Sequence, residues 1–174
     1  MLQLSNSLID QPVMSLRTGG QVATATSPII NPNNLKIEGW YCQDKFSKST
    51  LVLLSQDVRD IIKQGLVIND HDNLSDPAEL VRLKDVLAVN FELLGKSVFT
   101  INKQRLGKVT DYAVELESLY IQKIYLSQSL IKSFSGGNLG VDRNQIIEIT
   151  NRKIVIEDPL KLVKSRVATS PVAT

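Results

Sequence analysis

Residues Leu106–Leu126 read "LGKVTDYAVELESLYIQKIYL". Two runs rich in Val, Leu, Ile and Tyr flank the short acidic turn "ELES", and Gly107 stands near the start of the first run. Short runs of β-branched and aromatic residues bounded by turn signals read as strands, so the stretch predicts a β-hairpin. Whether the chain builds such a unit once or twice decides the fold.

Working outward, the same grammar recurs upstream. "GGQVATAT" sits where "LGKVTDYA" sits, which places Gly20 over Gly107 and Val22 over Val109 at a spacing of 87 residues. Leu35–Tyr41, "LKIEGWY", matches Leu119–Tyr125, "LYIQKIY", at 84. Asp57–Asp70 matches Gln145–Asp158 at 88 without a gap, with Val58, Ile61 and Leu66–Ile68 over Ile146, Ile149 and Ile154–Ile156. Self-similarity at a nearly fixed period predicts one unit made twice.

Each copy holds about six short strands with closely spaced turns, an arrangement that hides its edges by curling into a small barrel. Pro28 breaks the second strand of the first copy in this reading, because proline has no N–H for a ladder. "QDVRDII" (Gln56–Ile62) reads as a helical turn or a strand start. Between the copies, Asp76 suits an N-cap, Pro77 the first helical position and Glu79 the capping-box position. Leu80, Leu83, Val86 and Leu87 then share one face. The sequence therefore predicts a linking helix over Pro77–Val89.

At this point a family resemblance becomes specific. Leu93–Asp158 resembles a PRC-barrel domain, through Gly95, Gly107, Val109, Asp111 and the ending "QIIEI…IVIED". Over Leu8–Asp70 the likeness is weaker: the first hairpin reads as shorter, and Thr24 stands where the family has an acidic residue. Together the halves resemble bacterial proteins built from tandem PRC-barrels. The expected fold is mainly β: two tandem small PRC-type β-barrels joined by one α-helix. The expected division is 1–74 for the first, divergent barrel, 75–90 for the linking helix, 91–159 for the second barrel and 160–174 for a flexible tail.

The resemblance implies docking rather than chemistry. PRC-barrels occur in a ribosome maturation factor and in the H subunit of the photosynthetic reaction centre, where the barrel serves as an adaptor. This chain lacks the visible N-terminal barrel of the former and the transmembrane helix of the latter.

Composition sets the remaining bounds. The chain of 174 residues is 43% hydrophobic and 22% charged, with net charge +2. Without Lys161, Lys164 and Arg166 of the tail, 17 basic residues face 18 acidic ones. A nearly neutral body predicts weak or absent direct nucleic-acid binding, unless the charge is gathered in a local patch. No apolar run approaches the roughly 18–20 residues a membrane span needs. "MLQLSNSLIDQPVM" has neither a basic n-region nor an apolar h-region, so it does not read as a signal peptide. A single cysteine, Cys42, permits no intramolecular disulfide. A cytoplasmic location is expected.

Few residues carry chemistry. "NDHDN" (Asn69–Asn73) looks metal-like, but Val81 stands where a calcium loop needs its final Glu, and His71 is the one histidine. A solvated loop is expected there, with no sign of a partner for His71. "SGGNLG" (Ser135–Gly140) lacks the lysine of a phosphate loop. Cys42 reads as a buried thiol and Asp111 as a turn or edge residue. Trp40 and Tyr41 point to opposite faces of one strand.

The expectation is a non-catalytic adaptor without cofactor or metal, docking a macromolecular partner, a protein above all, in a setting such as ribosome maturation or RNA metabolism. Trp40, Tyr112, Tyr120 and Tyr125 are the candidate anchors, with Lys161, Lys164 and Arg166 as an accessory basic tail. Two alternatives stay open: a small ligand-binding protein or enzyme with its site between the barrels, and a peripheral membrane protein.

Overall fold

The hairpin at Leu106–Leu126 and its upstream counterpart fold alike in the computed structural model, which describes residues 1–127 and 139–159. The chain opens with β1 (Leu2–Leu4), β2 (Gln11–Ser15), β3 (Gln21–Asn31), β4 (Lys36–Asp44) and β5 (Thr50–Leu54). After a 3-10 turn come β6 (Val58–Ile62), β7 (Gly65–Ile68) and the short β8 (Leu74–Ser75). Helix α1 (Lys84–Val89) leads to β9 (Ser97–Thr100), β10 (Arg105–Glu115), β11 (Tyr120–Leu126), β12 (Leu139–Asp142), β13 (Ile146–Ile149) and β14 (Lys153–Ile156). The fold is mainly β, a sheet curled like half a barrel.

The duplication is visible strand by strand. β2–β3, β3–β4, β4–β5 and β6–β7 pair antiparallel and β2–β7 parallel. The same pairings recur as β9–β10, β10–β11, β11–β12, β13–β14 and β9–β14. Even the irregularities repeat: the break at Ala25/Ser27 has its twin at Val109/Asp111, and that at Val58/Asp60 at Ile146/Glu148.

This register corrects one alignment. Ala25 pairs with Cys42 and Val109 with Leu126, while Ser27 pairs with Tyr41 and Asp111 with Tyr125. The spacing of 84 thus holds along the whole hairpin, and Ala23, Ala25 and Ser27 match Gly107, Val109 and Asp111. Gly20 lies in the turn before β3, whereas Gly107 lies inside β10 at φ +150°, where a Cβ would meet Ser127 O at 2.4 Å. Ser27, not Thr24, therefore occupies the Asp111 position. The first connection, Leu16–Gly20, is also longer than its counterpart 101–104, not shorter.

The two sets of strands do not stand apart. Lys36 pairs with Tyr120, Ile37 N–H donates to Leu119 O at 2.8 Å, and Ile121 N–H donates to Leu35 O at 2.9 Å. These are equivalent residues bonded reciprocally, so the halves meet about a local two-fold. One continuous 14-stranded sheet results. Leading segments cross over as well: β1 pairs with β10 of the second half, and α1 packs on β3 of the first. Asp111 Oδ1 fastens the crossover by accepting from Ser5 N at 3.2 Å and Ser5 Oγ at 2.6 Å.

Two further expectations change. Pro28 does not break β3, which runs unbroken from Gln21 to Asn31. β2 pairs with β3 only as far as Ala25, so Pro28 lies where one side of the strand is free of a ladder, a position that tolerates proline. The linking segment is helical but not one helix. It forms 3-10 turns at Pro77–Glu79 and Val81–Leu83, and only Lys84–Val89 is α-helix. Leu80, at ψ 72°, interrupts it. Asp76 caps as expected, accepting from Ala78 N at 2.8 Å. Leu80, Leu83, Val86 and Leu87 do face inward, although each is only half-buried.

Candidate functional site

The anchor residues divide between core and surface. Trp40 is 0% exposed, and its indole N–H donates to Leu8 O at 3.1 Å. Tyr112 is also in the core, where burial, aided by the Asp111 charge, pushes its phenol well above the ordinary value. Neither presents a face to a partner. The physical reason is that bulges at Glu38 of β4 and Thr110 of β10 gather Ile37, Trp40 and Cys42, and Val109, Tyr112 and Val114, on the buried face of each strand. Tyr120 and Tyr125 are half-buried. The Tyr120 ring carries the Arg143 guanidinium at 4.4 Å and Lys36 Nζ at 5.8 Å. Lys161, Lys164 and Arg166 lie outside the described residues, as does Ser135–Asn138 of the glycine-rich stretch.

The chemistry-bearing residues serve the fold. Cys42 is buried, and burial pushes its thiol up to about 12. His71 is not in a solvated loop: its Nε2 lies 2.7 Å from Oδ1 of Asp44, which is 3% exposed, and Phe46 meets its ring edge-on at 5.4 Å. Ser47 donates to Asp44 Oδ2 from its backbone N at 2.8 Å and its hydroxyl at 2.5 Å. Asp70 organises the same turn, accepting from His71 N at 2.8 Å and from Arg17 at 2.7 Å. Among the described residues no group of three or more His, Cys, Asp and Glu is placed to hold a metal ion.

This cluster has a pH signature. Burial pushes the Asp44 carboxyl up, but hydrogen bonds from Ser47 and His71 outweigh burial and hold it well below the usual carboxylate range. A depressed acid contributes stability that is complete above its unfolded value, about 3.9, and is lost as pH falls below it. Acidification from about pH 5 to pH 3 should therefore lower the melting temperature of the wild-type protein more steeply than that of Asp44→Asn. At neutral pH the variant should be the less stable of the two. Parallel profiles would show that the Asp44 charge contributes nothing.

The strongest surface feature lies on the second half. Lys153 pairs with Ser97 and Ser97 with Lys108 across β14, β9 and β10; Val155, Phe99 and Arg105 form the next row. Directly paired residues share a face, and the neighbours Val98 and Ile154 are buried on the other one. Lys153, Lys108 and Arg105 therefore project outward together. Arg152 stands beside them, and Lys103 extends from the turn with φ +64°. All five are exposed, and none makes an ion pair among the described residues. Lys96 flanks the face, its Nζ over the Phe91 ring at 4.6 Å and donating to Asn151 O at 2.6 Å. Half-buried Phe99 sits amid these cations.

The duplication supplies a control within the molecule. By register, Lys96, Arg105, Lys108, Arg152 and Lys153 match Gln11, Gln21, Thr24, Gln64 and Gly65 of the first half. Not one of these is charged. Sequence reasoning missed the face because its residues come from two distant segments and the net charge conceals them. The readable signal was the cluster "NKQRLGK", which holds basic residues and no acid.

No helix among the described residues is long and apolar enough to cross a membrane. No protein-family model matches the chain, and no curated protein matches it.

Proposed function

We propose that the chain is a non-catalytic adaptor of two tandem PRC-type barrels, whose second half docks on RNA through the face of β9, β10 and β14. The observation that carries this reading is that four cations without an ion pair among the described residues, Arg105, Lys108, Arg152 and Lys153, stand at positions that are uncharged in the first half. Lysines are depleted at the centres of protein–protein interfaces, whereas phosphate contacts draw on lysine and arginine. Half-buried Phe99 among the cations adds an aromatic surface on which a base can stack. The adaptor reading draws on the engaged state of the two reactive side chains: the Cys42 thiol is buried and His71 is bonded to Asp44. The setting is cytoplasmic RNA metabolism, ribosome maturation included.

Fluorescence anisotropy with a short single-stranded RNA over a salt series tests this. Five phosphate contacts predict a slope of log K against log salt of about −3.5, and sequence-independent affinity of roughly 10⁻⁴–10⁻⁶ M at physiological salt. Binding absent even at low salt, or insensitive to salt, would refute the reading.

A further inference from the structure

A cavity of about 290 Å³ lies at the meeting of the two halves, beside the local two-fold. Its wall holds equivalent positions from both copies: Ile9 and Leu94, Pro28 and Tyr112. The volume is close to the lower end for small-molecule sites. Ser27, Tyr41 and Asn90 contribute polar groups. Among the described residues the one charged lining residue is Glu92, an acid, and no lysine or arginine lines the wall.

Tyr112 sets the chemistry. It is 1% exposed, and its hydroxyl has no hydrogen-bond partner among the described residues. No fully buried side-chain nitrogen or oxygen among the described residues lacks a partner, so the hydroxyl carries the slight exposure that Tyr112 keeps, and Tyr112 lines the cavity. Burial keeps that phenol protonated, and hence a donor. A donor held in an apolar wall gains from an acceptor brought to it.

We infer that the cavity between the halves binds a small, uncharged, mainly apolar molecule that presents a hydrogen-bond acceptor, such as a carbonyl oxygen, to the Tyr112 hydroxyl. Anions are disfavoured because the wall offers no cation and carries Glu92. The site shares no lining residue with the basic face, so it stands or falls independently of RNA docking.

Acetophenone, with benzoate as its anionic counterpart, probes this in the full chain by amide chemical-shift titration. Acetophenone should shift the amides of Ile29, Leu93 and Tyr112 in a saturable way, and benzoate should bind at least tenfold more weakly. Tyr112→Phe, which removes only the hydroxyl, should weaken acetophenone threefold or more. Ser27→Phe, at an exposed position on the rim, should block the cavity and abolish the shifts while leaving the remaining spectrum in place. Shifts that persist in Ser27→Phe, equal binding of benzoate, an unchanged affinity in Tyr112→Phe, or no saturable shift in the wild-type protein would each overturn the assignment.

Discussion

Trp40→Ala should destabilise the protein by about 3–5 kcal/mol, the usual cost of emptying a buried large aromatic site. Trp40 is fully buried, and its N–H satisfies the Leu8 carbonyl on the segment that precedes β2. The substitution therefore opens a cavity and orphans a carbonyl at once. Trp40→Phe separates the two effects, since it retains much of the volume and should cost about 1–3 kcal/mol through the unpaired Leu8 carbonyl. Trp40 is the sole tryptophan, so urea unfolding is best followed by circular dichroism rather than by intrinsic fluorescence. A cost for Trp40→Ala below about 1 kcal/mol, the range of ordinary surface changes, would mean that the side chain is not a core element.

The second large effect concerns the basic face. Arg105→Gln, Lys108→Thr and Arg152→Gln together give the second half the residues that the first half carries at the same places. All three positions are exposed and unpaired, so the fold should be preserved. At about 1 kcal/mol for each charge near an anionic surface, the triple variant should lose about 3 kcal/mol of RNA affinity, roughly a hundredfold. The salt slope should fall to about −1.4, since each lost phosphate contact removes about 0.7. Lys153 is left in place because its counterpart is Gly65, and glycine within a strand weakens the strand itself. An unchanged affinity would place binding on some other surface.

The duplication was legible because strand spacing and apolar pattern survive in both copies. Leu35–Tyr41 and Leu119–Tyr125 sit in equivalent ladders, and the matched endings fold as β6–β7 and β13–β14. The register of the first hairpin was not legible. Gly20 and Gly107 look alike as letters, but one serves a turn and the other a close approach of β10 to Ser127. The linking segment showed its cap and its inward face, yet not its interruption at Leu80.

Alternation along β4 holds over Trp40, Tyr41 and Cys42 but not across Glu38, the extra residue of a β-bulge that turns Ile37 to the same face as Trp40 and Cys42. Ile37, Trp40 and Cys42 are all buried in one core that holds residues of both halves. A bulge changes the parity of the buried positions beyond it, and no local pattern announces where it falls. The basic face stayed hidden for a related reason. Lys153 joins Lys108 only because β14 returns to lie parallel to β9, which is a property of the fold rather than of any short window. His71 was misread in the same way, since Asp44 approaches it from a distant strand.

The measurement that bears most directly on the duplicated fold with one charged copy is an amide chemical-shift map of the protein titrated with single-stranded RNA. Shifts should concentrate at Lys103, Arg105, Lys108, Arg152 and Lys153 on β9, β10, β14 and their turns, while Gln21, Thr24 and Gln64 of the first half stay unmoved. Shifts of equal size on both halves, or confined to the first, would contradict it.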